Sequence, residues 1–297
     1  MQTHSYPPEL RKARRQLPGS VAFVPTMGFL HDGHLALMRR ANELCDHLCV
    51  SIFVNPTQFG PGEDLDNYPR DLQRDRSLCE QLGCELLFTP TVSDIYADDH
   101  STTVSVERLS DPLCGARRPC HFDGVATIVS ALFHIVEPDV AVFGQKDYQQ
   151  LAIIRRMVRD LHFPTRIDSV PIVREDDGLA LSSRNRYLTS GEREQATSLS
   201  RGLVAAHRAF HDRQLRAVDE LKRLATAPID AQPDTAVDYL QLVDPHTLEP
   251  FTDDQTIEAS GAVLALAVHL GDARLIDNLR LDEPLPPGLH HVLDDLP

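Results

Sequence analysis

The chain has 297 residues, 42% of them hydrophobic and 25% charged, with a formal net charge of −15. It is long enough to bury a sizeable core in two domains, and too acidic for a general binder of nucleic acid or anionic membrane, which needs a basic face. Cys45, Cys49, Cys79, Cys84, Cys114 and Cys120 form no Cys-x-x-Cys pair or regular framework and read as reduced thiols. With a polar start to the chain and no apolar run long enough to span a bilayer, the expected location is cytoplasmic, with neither membrane nor nucleic acid as partner.

In chain order, residues 1–18 carry a weak apolar stripe (Leu10, Ala13, Leu17) that predicts a short helix. Val21 to Val24 is an apolar run stopped by Pro25, and Leu35, Leu37, Met38 and Ala41 then recur at near-helical spacing. A strand feeds a helix, with His31 and His34 where the helix begins. Three residues apart, they share a face beside unpaired backbone N–H groups and the positive dipole end, which suits an anion, above all a phosphate.

Leu48 to Val54 reads as a strand buried on both faces, and it stops at the loop Asn55-Pro-Thr-Gln-Phe-Gly-Pro-Gly62. A surface helix (72–82), a strand (84–88) and an edge strand (102–106) follow. Polar and turn residues of 111–124 precede a helix over 125–136. Val140 to Phe143 is a buried strand running into Gly144-Gln-Lys-Asp147, then comes a helix from the N-cap Asp147 to Leu161, and a strand over 166–173. Alternating strands and helices predict an α/β fold with a mainly parallel sheet covered on both faces.

The pattern breaks at Arg174-Glu-Asp-Asp-Gly178, which places a domain boundary near residue 173: a first domain over 1–172, a second over 173–280, and a loose tail over 281–297. The second domain reads as helices over 190–211 and 215–225 and strands over 236–243, 261–269 and 273–277.

Four loops carry the chemistry: His31-Asp-Gly-His34, Asn55-Pro-Thr-Gln58, Gly144-Gln-Lys-Asp147 with Gln149 and Gln150, and Ser182-Ser-Arg184. The first three follow strands, the edge where open α/β sheets bind ligands. Lys146 stands out because the chain has only three lysines against 26 arginines. Imidazoles, amides, one lysine, one arginine and hydroxyls, with hardly a nucleophile, suit phosphoryl transfer, which asks for positioning and charge neutralisation. Zinc on the histidine pair lacks a convincing further ligand set. The glycine pattern matches neither the Walker loop nor the dinucleotide fingerprint.

Residues 25–34 (Pro-Thr-Met-Gly-Phe-Leu-His-Asp-Gly-His), 53–60 (Phe-Val-Asn-Pro-Thr-Gln-Phe-Gly), 64–70 (Asp-Leu-Asp-Asn-Tyr-Pro-Arg), 143–150 (Phe-Gly-Gln-Lys-Asp-Tyr-Gln-Gln) and 181–188 (Leu-Ser-Ser-Arg-Asn-Arg-Tyr-Leu) together resemble the pantothenate synthetase family, in order, over about residues 20–280. The resemblance implies a Rossmann-like nucleotide-binding domain with a smaller α+β C-terminal lid domain, and a homodimer. It implies that ATP, pantoate and β-alanine give pantothenate, AMP and pyrophosphate through pantoyl adenylate, with Mg2+ whose ligands it does not name.

Carried over by position, ATP would be bound by Met27, Gly28, Phe29, Leu30, His31, Asp32, Gly33, His34, Gly144, Gln145, Lys146, Asp147, Val173, Leu181, Ser182, Ser183 and Arg184. His34, His31, Lys146 and Arg184 would be catalytic, the histidines as charge stabilisers. Gln58, Gln150, Asn55 and His121 would form the pantoate and β-alanine pocket. The sequence departs from the family at Gln145, usually Glu, at Cys120, commonly Gly, and at Ala131, often Lys. Two other readings are a nucleotidyltransferase acting on another acid or phosphate ester, and a non-enzymatic ATP sensor. The neutral Gln58 and Gln150 argue against a phosphorylated second substrate, and the presence of His34, Lys146 and Arg184 argues against a sensor.

Overall fold

The computed structural model describes residues 1–258 and 261–293. In chain order it contains β1 (Gln2–His4), α1 (Pro7–Gln16), β2 (Val21–Thr26), α2 (Asp32–Leu44), β3 (His47–Ile52), α3 (Leu72–Gln81), β4 (Leu86–Phe88), α4 (Val92–Ile95), α5 (Cys114–Arg117), α6 (His121–Val136), β5 (Val140–Gly144), α7 (Tyr148–Asp160) and β6 (Arg166–Val170). Then follow α8 (Ser190–Asp212), α9 (Val218–Asp230), β7 (Thr235–Val243), β8 (Val263–Leu270) and β9 (Ala273–Arg280). The chain divides into two units: Met1–Ser110 with Gly115–Gln145 and Gln150–Val170, and Asp111–Cys114 with Lys146–Gln149 and everything from Pro171 on. Residues 111–114 and 146–149, placed in the first domain by the sequence, thus group with the second.

The first unit is a parallel six-stranded sheet in the order β1-β4-β3-β2-β5-β6. From β2 the order grows one way through β3 and β4 to β1, and the other way through β5 to β6. It therefore reverses between β2 and β5, and at such a reversal a crevice opens beyond the carboxyl ends of the strands. The apolar runs of β2, β3 and β5 are buried on both faces because helices cover both. On one side Ala22, Val24, Val50, Leu87 and Val142 pack with Leu37, Met38 and Ala41 of α2. On the other, Phe23 meets Phe133 of α6 edge-on, with ring centroids 6.4 Å apart.

The second unit is an antiparallel sheet, β7-β8-β9, with α8 and α9 against it. Leu264, Leu266, Val268 and Leu270, alternate residues of β8, share a core with Leu199 and Leu203 of α8 and Leu221 and Ile229 of α9. Thr189 caps α8 in a box with Glu192, each side chain accepting the other's backbone N–H.

The short helix expected within residues 1–18 is α1, and Gln2–His4 before it is a further strand paired with β4, with no apolar pattern to read. Two expectations are corrected. Residues 102–106 form no strand among the described residues; the Val104 N–H is taken by the Thr127 hydroxyl at 2.9 Å. Over 281–293 the tail is not loose: Pro287–Leu289 and His291–Leu293 form 3-10 turns, and Leu281, Leu289 and Val292 are buried in the second core. Residues 294–297 of that tail lie outside the described residues.

Candidate active site

In the first unit the site grows from the turn between β2 and α2. Gly28 takes φ +87°, and a Cβ there would stand 2.9 Å from Ile52 Cγ2, so only glycine fits. Phe29 follows at φ +51°, a left-handed conformation a side chain disfavours. It is held from α3: the Asp75 carboxylate, 1% exposed, accepts the N–H groups of Phe29 and Leu30, while Arg74 Nη1 donates to Leu30 O at 2.8 Å. The sequence signal for this clamp was an acid on the apolar stripe of α3, level with Cys79 and Leu82.

His31 is the N-cap of α2, and its Nδ1 accepts the Gly33 N–H at 3.2 Å; His34 Nδ1 accepts the His31 N–H at 3.3 Å. A ring nitrogen that accepts holds no proton, so each ring carries its proton on Nε2, a donor suited to phosphate oxygen. The rings lie 4.1 Å apart. The expected unpaired N–H groups of the helix start are thus partly occupied by the histidines themselves.

A second wall in the first unit is the 3-10 turn Pro56–Gln58 after β3. It seats on α6 at Gly124, where a Cβ would lie 2.4 Å from Thr57 O. His121 Nδ1 and Arg118 Nη2 both donate to Gln58 O, at 2.7 and 3.3 Å, and Arg118 pairs with Glu63 at 2.6 and 2.7 Å. Hydrogen bonds from Arg118 hold the Glu63 carboxyl below its usual range. Gln58 Oε1 accepts from Asn55 at 3.2 Å, and Gln58 Nε2 lies 3.3 Å from Met27 Sδ. That contact brings the Gln58 turn against the histidine turn. Asn55, 1% exposed, spends its side chain inside the protein. Gln150 is half-buried in the first turn of α7, following β5, and Gln145 donates to Ser169 Oγ at 3.3 Å.

In the second unit, Lys146 Nζ donates to Leu181 O at 2.8 Å, and Asn278 Nδ2 to Lys146 O at 2.9 Å. Burial pushes the Lys146 ammonium down to about 8; Asp147 and Asp277 draw it up, and Arg184 and Arg174 push it down. The 173–185 segment is a braced loop: Leu181 N–H bonds Val173 O at 2.9 Å, and Ser182 Oγ caps the 3-10 turn of Ser183–Tyr187 through the Arg184 N–H. Arg174 makes a two-pronged ion pair with Asp277 at 2.7 and 2.8 Å, both side chains buried. Gln149 is structural, bonding Cys114 N and Pro112 O at 3.1 and 2.7 Å. Asp147 is exposed. The sequence missed Asp75, Gly124, Arg118, Asp277 and Asn278.

The chain matches known proteins over most of its length. A profile of the pantoate-beta-alanine ligase family matches residues 2–280. The pantothenate synthetase of Heliobacterium modesticaldum is 53% identical over 260 residues, 88% of this chain and 91% of that one. The crystal structure of pantothenate synthetase from Thermus thermophilus superposes with a TM-score of 0.88 at 48% identity, covering 95% of this chain and 99% of that one. The pantoate-beta-alanine ligase of Francisella tularensis, complexed with beta-gamma ATP and beta-alanine, gives a TM-score of 0.76 at 31% identity over 96% and 99% of the two chains. The chain belongs to the pantoate–β-alanine ligase family.

Proposed function

We propose the following residue roles for the reaction of the family, the ATP-dependent joining of pantoate to β-alanine with release of AMP and pyrophosphate. The observation that carries the assignment is the 3.3 Å contact between Gln58 Nε2 and Met27 Sδ, because it sets an amide donor for an acid beside the turn that presents two imidazole donors for phosphate. A pantoate carboxylate oxygen attacks the α-phosphorus of ATP in line and pyrophosphate leaves. The β-alanine amine then attacks the adenylate carbonyl, loses its proton and expels AMP.

His31 and His34 donate through Nε2 to phosphate oxygens, and Lys146 and Arg184 balance the charge that builds on the triphosphate. Met27 to Gly33, Gly144, Gln145, Asp147, Val173, Leu181, Ser182 and Ser183 are assigned to ATP, and Gln58, Gln150 and His121 to the pantoate and β-alanine pocket. Asn55 acts through Gln58. Mg2+ enters on the triphosphate as part of the substrate: among the described residues no group of three His, Cys, Asp or Glu gathers as a cage, and an ATP-borne Mg2+ needs only one or two carboxylates beside phosphate and water.

The smaller unit serves as the lid, and the enzyme works as a cytoplasmic homodimer; light scattering in solution tests the dimer. Mass spectrometry of the products tests the function. Pantothenate and AMP form in equal amounts only when ATP, pantoate and β-alanine are all present; an AMP yield indifferent to pantoate overturns the assignment.

A further inference from the structure

Asn55 has four hydrogen-bonding positions, and the structure fills all four. Its Nδ2 donates to Gly124 O at 3.1 Å and to Gln58 Oε1 at 3.2 Å. Its Oδ1 accepts the Tyr96 hydroxyl at 2.8 Å and the Thr57 hydroxyl at 2.9 Å. A backbone carbonyl can only accept, so Gly124 O fixes which end of the Asn55 amide is nitrogen. That polarity is relayed. The Gln58 atom facing Asn55 Nδ2 must be the oxygen, and Gln58 Nε2 must point the other way, toward Met27 Sδ at 3.3 Å. A thioether is a weak acceptor, so this bond is readily exchanged for a substrate oxygen.

We infer that Tyr96 is a positioning residue for the acid substrate: it holds the oxygen end of the Asn55 amide, whose nitrogen end, set by Gly124 O, commits Gln58 to present an N–H donor and so to select an acceptor oxygen over an amine at that point. The inference rests on the function proposed above and deepens it. Tyr96 follows the four-residue α4, and its ring stands 6.4 Å from the Phe53 ring and 4.9 Å from that of His100. Burial pushes the phenol above its ordinary value, so the hydroxyl remains a donor. Without it, Asn55 Oδ1 keeps only the hydroxyl of Thr57, an exposed residue, and the amide that orients Gln58 is held firmly at its nitrogen end alone, by Gly124 O.

Tyr96→Phe removes the hydroxyl and keeps the ring. The test is a cycle of wild type, Tyr96→Phe, Gln58→Ala and the double variant, measured by pyrophosphate release at varied pantoate, with a thermal midpoint for each protein. Tyr96→Phe is expected to raise the KM for pantoate by about tenfold, the effect of one lost hydrogen bond, with the KM for ATP within about twofold of wild type. In the Gln58→Ala background the same change is expected to add less than about twofold, because the residue it acts through is gone. An unchanged pantoate KM, or a second full loss in the Gln58→Ala background, overturns the inference and leaves the function standing. Wild-type pyrophosphate release that ignores pantoate overturns the function itself.

Discussion

The carboxylate of Asp75 accepts the backbone N–H of Phe29 at 2.7 Å, and with its other oxygen it takes that of Leu30 at 2.8 Å. Phe29 sits at φ +51°, which costs a non-glycine residue about 1–2 kcal/mol. Hydrogen bonds to a charged group are worth about 1.5–3 kcal/mol each, so two of them outweigh the strain. A helix outside the expected loops therefore sets the shape of the turn that leads to His31 and His34. Asp75→Asn leaves one acceptor oxygen for two donors. The variant is expected to lose about 1–3 kcal/mol of stability and to raise the KM for ATP more than that for pantoate, as thermal unfolding and steady-state kinetics would record.

Lys146 supplies a pH dependence whose sign follows from its environment. Its ammonium is pushed to about 8, below the ordinary 10.5, so the charged form, to which we assign the neutralising of phosphate, is present at pH 7 and lost as pH rises through about 8. In the free enzyme kcat/KM for ATP is expected to fall on going from pH 7 to 9. Lys146→Arg, which stays charged, is expected to be slower at pH 7 but flat across the same window. A wild-type profile that is flat to pH 9 would contradict the role.

The histidines cap α2, and substitutions can separate that from the phosphate contact proposed for them. His31→Asn keeps an N-cap acceptor for α2 but removes the Nε2 donor, so the thermal midpoint should hold while adenylation slows. His34→Ala and Lys146→Ala are each expected to slow adenylate formation about 100-fold or more, on the order of 2.7 kcal/mol of transition-state stabilisation. Rapid-quench rates near wild type for either would remove that residue from the chemistry.

Cys120 stands at φ +64° as the N-cap of α6, one residue before His121. Cys120→Gly is expected to relieve about 1 kcal/mol of strain and raise the thermal midpoint by about 2–4 °C. A lower midpoint would show that the thiol makes a contact worth more than the strain.

The alternation of apolar runs with helical stripes made the parallel sheet legible, because strands buried on both faces leave near-continuous Val, Ile and Leu runs. The turn residues after β2, β3 and β5 marked the candidate site for the same reason: a buried strand has to end in polar loop. Polarity and distance in sequence hid the rest. β1 pairs through its backbone and has no pattern to read. Arg174 read as a pattern breaker, yet it is buried against Asp277, 103 residues away. Asn55 read as a ligand-binding amide from its place in the loop after β3, whereas which atoms it meets depends on Tyr96 and on a carbonyl of α6. Spacing along one strand or helix carries no information about partners brought in by the fold.

The most direct test of the two-step reaction is a rapid-quench experiment with α-labelled ATP and pantoate in the absence of β-alanine. One equivalent of enzyme-bound pantoyl adenylate and one of pyrophosphate per site are expected, and a later chase with β-alanine converts the adenylate to pantothenate and AMP. Pyrophosphate that appears only after β-alanine is added, with no adenylate beforehand, would contradict it.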